Sequence, residues 1–257
     1  MIDPGALFRA GLALATMAVI AWAVSAWRKD VSIVDSLWSL FFLVAATVYL
    51  HQAGAMGPRA GVVMILVAAW ALRLSVYITW RNRGQPEDYR YRQIRANHEP
   101  GFRWKSFYIV FLLQAALAWV ISLPLAAAIS TESPWSAWDW AGLAVWAIGL
   151  AFEAGGDWQL ARFLRNPDNR GAVLDRGLWR YSRHPNYFGN CLIWWGFWLF
   201  ALSAGGWWTV VSPLLMSFLL LRVSGVALLE RDIGDRRPAY RTYVRRTNAF
   251  FPGPRRA

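Results

Sequence analysis

Charged residues are absent from long stretches of this chain. No Asp, Glu, Lys or Arg occurs in 10–27, 36–58, 106–131 or 184–221. A helix needs about 20 mostly apolar residues to cross a bilayer. The last gap is long enough for two such helices, with Ser203-Ala204-Gly205-Gly206 as the turn between them. Two further apolar stretches carry isolated charges: Arg73 in 61–80, and Glu153 and Asp157 in 138–160. The pattern predicts seven membrane-spanning helices, at 7–27, 33–51, 61–80, 106–129, 138–160, 187–203 and 207–229. The fold class expected is an all-α integral membrane protein. One seven-helix domain covers 1–257, with residues 230–257 as a cytoplasmic tail.

The composition sharpens this reading. The 257 residues are 57% hydrophobic and 16% charged, with 18 Trp and a net charge of +12. So apolar a chain is not disordered. A single cysteine, Cys191, excludes an internal disulfide framework. Of the 27 Lys and Arg, 23 fall in 28–29, 81–105, 162–183 and 231–256, which the seven spans place on one side. Arg9 and Arg59 fall on the other side, and Arg73 and Arg222 within spans. Cytoplasmic loops carry the Lys/Arg excess, so the expected topology has the N-terminus outside and the C-terminus in the cytoplasm. A nucleic-acid binder needs no such alternation, and that class is set aside. Residues 7–27 are not read as a cleavable signal, because Arg28 and Lys29 follow the apolar stretch. Trp27, Trp80, Trp104, Trp135, Trp138, Trp207 and Trp208 stand at span ends, as interfacial tryptophans do.

Ionisable groups inside spans are costly and are candidates for function. Here they are Asp35, Arg73, Glu153, Asp157 and Arg222, with Glu230 at a border. Glu153 and Asp157 are four residues apart and share a helix face. The alternative reading is pairing between helices, for instance Asp157 with Arg222. Loops 81–105 and 161–186 interleave arginine with Tyr and Trp. Arginine pairs with phosphates and stacks on rings, so the loops suit an anion bearing a planar ring. They also suit a polybasic belt against anionic lipid. Arg183, His184, Asn186 and Tyr187 run directly into an apolar helix, where Asn186, Asn190 and Trp194 share one face. Buried amides need partners, so a polar ligand is expected there. No Gly-x-Gly-x-x-Gly and no phosphate-binding Walker loop occurs. The three histidines, at 51, 98 and 184, suggest no metal site.

The segment Leu178-Trp-Arg-Tyr-Ser-Arg-His-Pro-Asn-Tyr-Phe-Gly189 resembles the steroid 5-alpha-reductase-like membrane family, in its bacterial branch. So do Val34-Asp-Ser-Leu-Trp38, Leu72-Arg-Leu74, Asn82-Arg-Gly-Gln-Pro86, Glu87-Asp-Tyr-Arg-Tyr91, Asp157-Trp-Gln159 and Pro238-Ala-Tyr-Arg-Thr-Tyr243 with Thr247 and Phe250-Phe-Pro252. The resemblance implies NADPH held in a cytoplasm-facing cavity, mostly by residues of 138–257. It implies hydride delivery to an alkene conjugated with a ketone in a lipophilic, steroid-like substrate that enters from the bilayer. Carried over by motif, the cofactor-binding residues are Asp157, Arg162, Arg165, Arg183, His184, Asn186, Tyr187, Asn190, Arg222 and Glu230, with Tyr240 and Tyr243 closing the pocket. Ala71 stands where the steroid enzymes have a tyrosine, and Asp35 stands near their glutamate without the adjacent glutamine. Protonated Asp35, or Arg73, is the expected catalytic donor to the ketone. Sterol reductases and isoprenylcysteine carboxyl methyltransferases share the Arg-His-Pro-x-Tyr core. An S-adenosylmethionine-dependent lipid methyltransferase is therefore the alternative, and a non-enzymatic lipid-binding protein the second. The expected setting is the bacterial inner membrane, with membrane lipids as partners and the chain a monomer.

Overall fold

The computed structural model describes residues 2–54, 56–223, 225–226, 230 and 239–256. The described residues are helical, with no strand among them. They divide into two compact units, Met1–Trp135 with Phe200–Thr209, and Ser136–Leu199 with Val210–Ala257.

The first unit begins with α1 (Pro4–Arg28), α2 (Ile33–Ala53) and α3 (Pro58–Asn82). Asp3 caps α1 by accepting from the Gly5 and Ala6 amides at 2.9 and 3.1 Å, and Pro4 supplies a preset φ at the first helical position. Lys29 ends α1 in the left-handed region, at φ 56°. Only the stripe Ala6, Ala10, Leu14, Ala18, Ala21 and Ser25 of α1 is buried, while Phe8 is 71% exposed and Ile20 60%. A helix apolar all round with one stripe covered needs an apolar solvent for the remainder.

Phe42 of α2 packs against Trp70 of α3 with ring centroids 5.7 Å apart, and both rings are fully buried. The Ser39 hydroxyl donates to the Ala71 carbonyl at 2.8 Å. Ala71 is itself fully buried. The position where the resemblance has a tyrosine is therefore a close helix–helix seat sized for a methyl group.

The cytoplasmic loop of the sequence reading contains α4 (Tyr89–His98). The predicted span at 106–129 is a series of pieces: α5 (Phe102–Ser106), a π-helical stretch (Phe107–Leu112), α6 (Leu113–Ile121) and α7 (Leu123–Ser130). Pro124 has no amide hydrogen to continue the helix, and the break falls at Ser122. The Ser122 hydroxyl donates to the Trp119 carbonyl and lies 2.9 Å from the Tyr49 hydroxyl. Arg59 is 3% exposed, and its guanidinium donates to the Ser133 and Ser203 hydroxyls and the Pro134 carbonyl.

The second unit contains α8 (Ala137–Arg165), α9 (Pro185–Ser203, whose residues from 200 onward count to the first unit), α10 (Val211–Phe218) and α11 (Ala239–Arg246). A capping box of Ser136 and Asp139 starts α8. Glycines set the packing of α8 on α9. Gly142, Gly149 and Gly156 repeat every seven residues on α8, and Gly189 and Gly196 do so on α9. A Cβ at Gly149 would lie 2.7 Å from the Gly189 carbonyl oxygen and 2.8 Å from the Ile193 amide. A Cβ at Gly196 would lie 2.9 Å from the Gly142 carbonyl oxygen. Small residues let two backbones touch, as is common where helices pack in lipid.

Among the described residues, four helical segments are long and apolar enough to cross a membrane: Pro4–Arg28, Ile33–Ala53, Pro58–Asn82 and Phe102–Ile121. Trp207–Val223 is a shorter apolar helical stretch. The end of the predicted seventh span (227–229) and residues 231–238, with Arg231, Arg236 and Arg237, lie outside the described residues.

Candidate functional site

In the second unit, the glycine seam brings the polar side chains of α8 and α9 together. The Asn190 amide donates to Glu153 at 2.9 Å, and the Asn186 amide donates to Asp157 at 3.1 Å. Both acids are buried, at 3% and 5% exposure. Four-residue steps on each helix, 153 to 157 and 186 to 190, place the two pairs in successive turns of one interface.

From Asn186 the contacts continue outward. The Tyr187 amide donates to the Asn186 side-chain oxygen, and the Tyr187 ring stacks on His184 with centroids 5.6 Å apart. His184 Nε2 lies 2.9 Å from Glu230. Arg183 meets the same carboxylate with two hydrogen bonds of 2.7 Å, from Nε to Oε1 and from Nη2 to Oε2. Its Nη1 donates to the Val244 and Thr247 carbonyls. Every nitrogen of this guanidinium is thus engaged within the protein. Arg183 clamps α11 and the segment after it through four of its five N–H donors. Burial alone would push the Glu230 carboxyl up. The hydrogen bonds from His184 and Arg183, with the Arg183 charge, instead hold it at about 2.

The clamp extends to the rest of 239–256. The Tyr243 hydroxyl donates to the Trp179 and Ser182 carbonyls. The Ser182 hydroxyl donates to the Phe250 carbonyl, and the Arg183 amide to the Asn248 carbonyl. Tyr240 packs edge-on to Tyr243 with centroids 5.4 Å apart. Burial, reinforced by the Glu230 charge, pushes the Tyr240 phenol well above its ordinary range. The motif residues Asp157, Asn186, Tyr187, His184, Glu230, Arg183, Tyr243 and Tyr240 are therefore linked by direct contacts. Asn190 sits one turn further along α9.

Three predicted residues lie apart from that network. Arg162 and Arg165 are exposed at the end of α8. Arg222 is exposed in a π-helical turn (Leu219–Val223) and makes no ion pair among the described residues.

Beyond the end of α8 is a cleft of about 530 Å³, walled by α8 and the segment that follows it. Gln159, of the Asp157-Trp158-Gln159 motif, shapes this wall. Its Oε1 accepts from the Leu178 amide at 2.9 Å and packs against Gly177, whose φ of +61° suits glycine. The Trp179 indole donates to the Gly156 carbonyl at 3.1 Å, tying the returning segment back to the helix. Arg176, on the rim, was not singled out by the sequence. Its local sequence carries no signal until the fold turns residues 166–177 back beside Arg162.

In the first unit, Asp35 joins two motifs that the sequence left separate. Its Oδ2 accepts from Arg90 at 2.7 Å, and its Oδ1 from the Tyr91 hydroxyl at 2.6 Å. Asp88 caps α4 through the Arg90 amide and also pairs with that side chain. Burial opposes ionisation of Asp88, but these bonds from Arg90 hold its carboxyl below the usual range. Glu87 accepts from the Val31 amide at 2.9 Å and from Arg95. Asp30 and the Ser32 hydroxyl form a further short bond in the same linker. Segment 87–95 is thereby latched to the start of α2. Both carboxyl oxygens of Asp35 are thus engaged, one by Arg90 and one by Tyr91. Arg73 is half-buried on α3.

A relative 28% identical over 269 residues, spanning 91% of this chain and 76% of its own length, is the uncharacterized protein C594.04c of Schizosaccharomyces pombe. No solved structure matches the chain. A family model matches residues 21–247, which take in most of both units, and the chain accordingly belongs to the family described as protein of unknown function DUF1295.

Proposed function

We propose that this protein is a membrane reductase of steroid 5-alpha-reductase type. It uses NADPH to reduce a carbon–carbon double bond conjugated with a ketone in a lipophilic substrate. The observation that carries this reading is the single contact network joining Asp157, Asn186, Tyr187, His184, Arg183 and Glu230. These are the residues that the resemblance nominates for the cofactor. A buried, hydrogen-bonded polar group within an apolar helix pair is costly to build and is a mark of function.

The donor set fits a dinucleotide. Carboxylates and amides suit ribose and carboxamide groups, and the arginines past the end of α8 suit phosphates. When bound, NADPH would supply the hydride. Asp157 orients the Asn186 amide, and Glu230 orients His184 while fixing Arg183. In the first unit, Asp35 in its protonated form and Arg73 are the proposed donors to the ketone; the Tyr91 hydroxyl, which donates to Asp35, positions that carboxyl.

We further propose seven spans in the bacterial inner membrane, with the N-terminus outside and the cofactor side in the cytoplasm. Helix α8 has 29 residues, about 43 Å at 1.5 Å each, and can cross despite Glu153 and Asp157 because both are paired inside the protein. The decisive experiment is titration of purified protein with NADPH and, separately, with S-adenosylmethionine, followed by thermal stability. NADPH stabilisation, then NADPH oxidation with a panel of enones, is expected. Stabilisation by S-adenosylmethionine alone would move the protein to the methyltransferases, and response to neither would leave a lipid-binding role.

A further inference from the structure

The cleft beyond the end of α8 has features that the network around Asn186 does not use. Arg162 and Arg176 both line it, and neither forms an ion pair among the described residues. The nearby acid Asp175 is instead paired with Arg255 at 2.7 Å. The Arg162 guanidinium lies over the Trp158 ring, 5.5 Å from its centroid, and Trp158 is 59% exposed. Asn166 and Asn169 complete the polar lining, and Leu174 and Phe163 the apolar floor. Two unneutralised guanidiniums facing an open cleft beside an indole face form a receptor for a dianion attached to a planar ring. Arg183, by contrast, has every nitrogen engaged within the protein.

We propose that this cleft binds the 2′-phosphate of an adenosine nucleotide, with Arg162 and Arg176 on that phosphate and Trp158 beside the base. The inference rests on the reductase reading and deepens it. In that reading the two arginines hold the 2′-phosphate that distinguishes NADPH from NADH. They are specificity residues and take no part in the chemistry.

The test uses the full-length protein in detergent and calorimetric titration with adenosine 2′,5′-bisphosphate, 5′-AMP, NADPH and NADH. Arg162→Gln and Arg176→Gln are the variants. Both side chains are exposed, so folding should be unaffected, and an unchanged melting temperature verifies this. Losing a charge-assisted bond to phosphate weakens binding by about tenfold to a hundredfold. Each variant should lose that much affinity for the bisphosphate and NADPH, and little for 5′-AMP and NADH. Equal binding of the bisphosphate by variants and wild type overturns the proposal, as does a wild type that does not prefer it to 5′-AMP. A phosphate on lipid is the competing source. Arginine-dependent binding of phosphatidylglycerol nanodiscs, without arginine-dependent nucleotide binding, overturns the assignment to a nucleotide. Wild type that binds the bisphosphate but not NADPH sinks the reductase reading and leaves the cleft standing. NADPH binding indifferent to both variants does the reverse.

Discussion

Arg183 and Glu230, 47 residues apart, meet side-on through two 2.7 Å hydrogen bonds, and His184 shares the same carboxylate. Breaking such a pair leaves a desolvated guanidinium without its counter-charge. Glu230→Gln should destabilise the protein by roughly 2 kcal/mol, below the range for a fully buried pair because Glu230 is partly exposed. Arg183→Gln should do at least as much, since it also releases the Val244 and Thr247 carbonyls. Thermal melts of both variants check this; an unchanged melting temperature would refute the clamp.

The same pair predicts an acid limb. The Glu230 carboxyl is held at about 2, below its ordinary 4.5. A depressed carboxyl contributes stability that is fully present above the unfolded value and is lost as pH falls through the folded one. Stability should therefore decline between about pH 4.5 and 2, and Glu230→Gln should flatten that decline. Melting temperature against pH, for both proteins, is the measurement.

The glycine seam predicts a sharp contrast between positions. A Cβ at Gly189 would run into the Glu153 amide and the Gly149 carbonyl, which are backbone and cannot rotate away. Gly189→Ala should cost about 3 kcal/mol or abolish folded yield. Gly61→Ala, whose Cβ would meet nothing nearer than Met56 at 4.0 Å, should be close to neutral. Comparable yields and melts for the two would remove the seam from the account.

Asp35 and Tyr91 predict a loosening at a distance from α2. Asp35→Asn removes one of the two carboxylates paired with Arg90, and Tyr91→Phe removes the second bond to Asp35. Trypsin should cut at Arg90, Arg92 or Arg95 several-fold faster in either variant. Wild-type cleavage rates in both would mean that the latch contributes nothing.

Topology can be read with single cysteines in a Cys191→Ser background, since Cys191 is the chain's one cysteine. A membrane-impermeant maleimide added to intact cells should label Gly57→Cys. It should reach Asp168→Cys only after permeabilisation. Reversed labelling would invert the proposed orientation.

Charge-free stretches are visible without coordinates. The edges expected at 33–51 and 61–80 lie within three residues of Ile33–Ala53 and Pro58–Asn82. Pro124 carries the sequence signal for the interruption at Ser122, but an apolar run does not reveal that Phe107–Leu112 closes its backbone bonds in π steps. In the site, spacing placed Glu153 with Asp157, and Asn186 with Asn190, on common faces. Which acid meets which amide depends on how closely α8 and α9 approach, and that is fixed by glycines repeating every seven residues on each helix. Arg183 illustrates the limit. Its motif marks it as important, but one residue type serves equally to grip a ligand or to clasp its own chain. Only the positions of Glu230, Val244 and Thr247 decide between them.

The bonds from Trp179, Ser182 and Arg183 to residues 243–250, with those from Gly253 to Tyr181 and Arg256 to Arg246, also bear on the order of events during synthesis. The segment at 179–184 leaves the ribosome well before its partners exist. This end of the second unit therefore closes only after translation has reached Arg256, so a nascent chain or a truncated product lacking those residues holds Arg183 and His184 unassembled at the mouth of the helix pair.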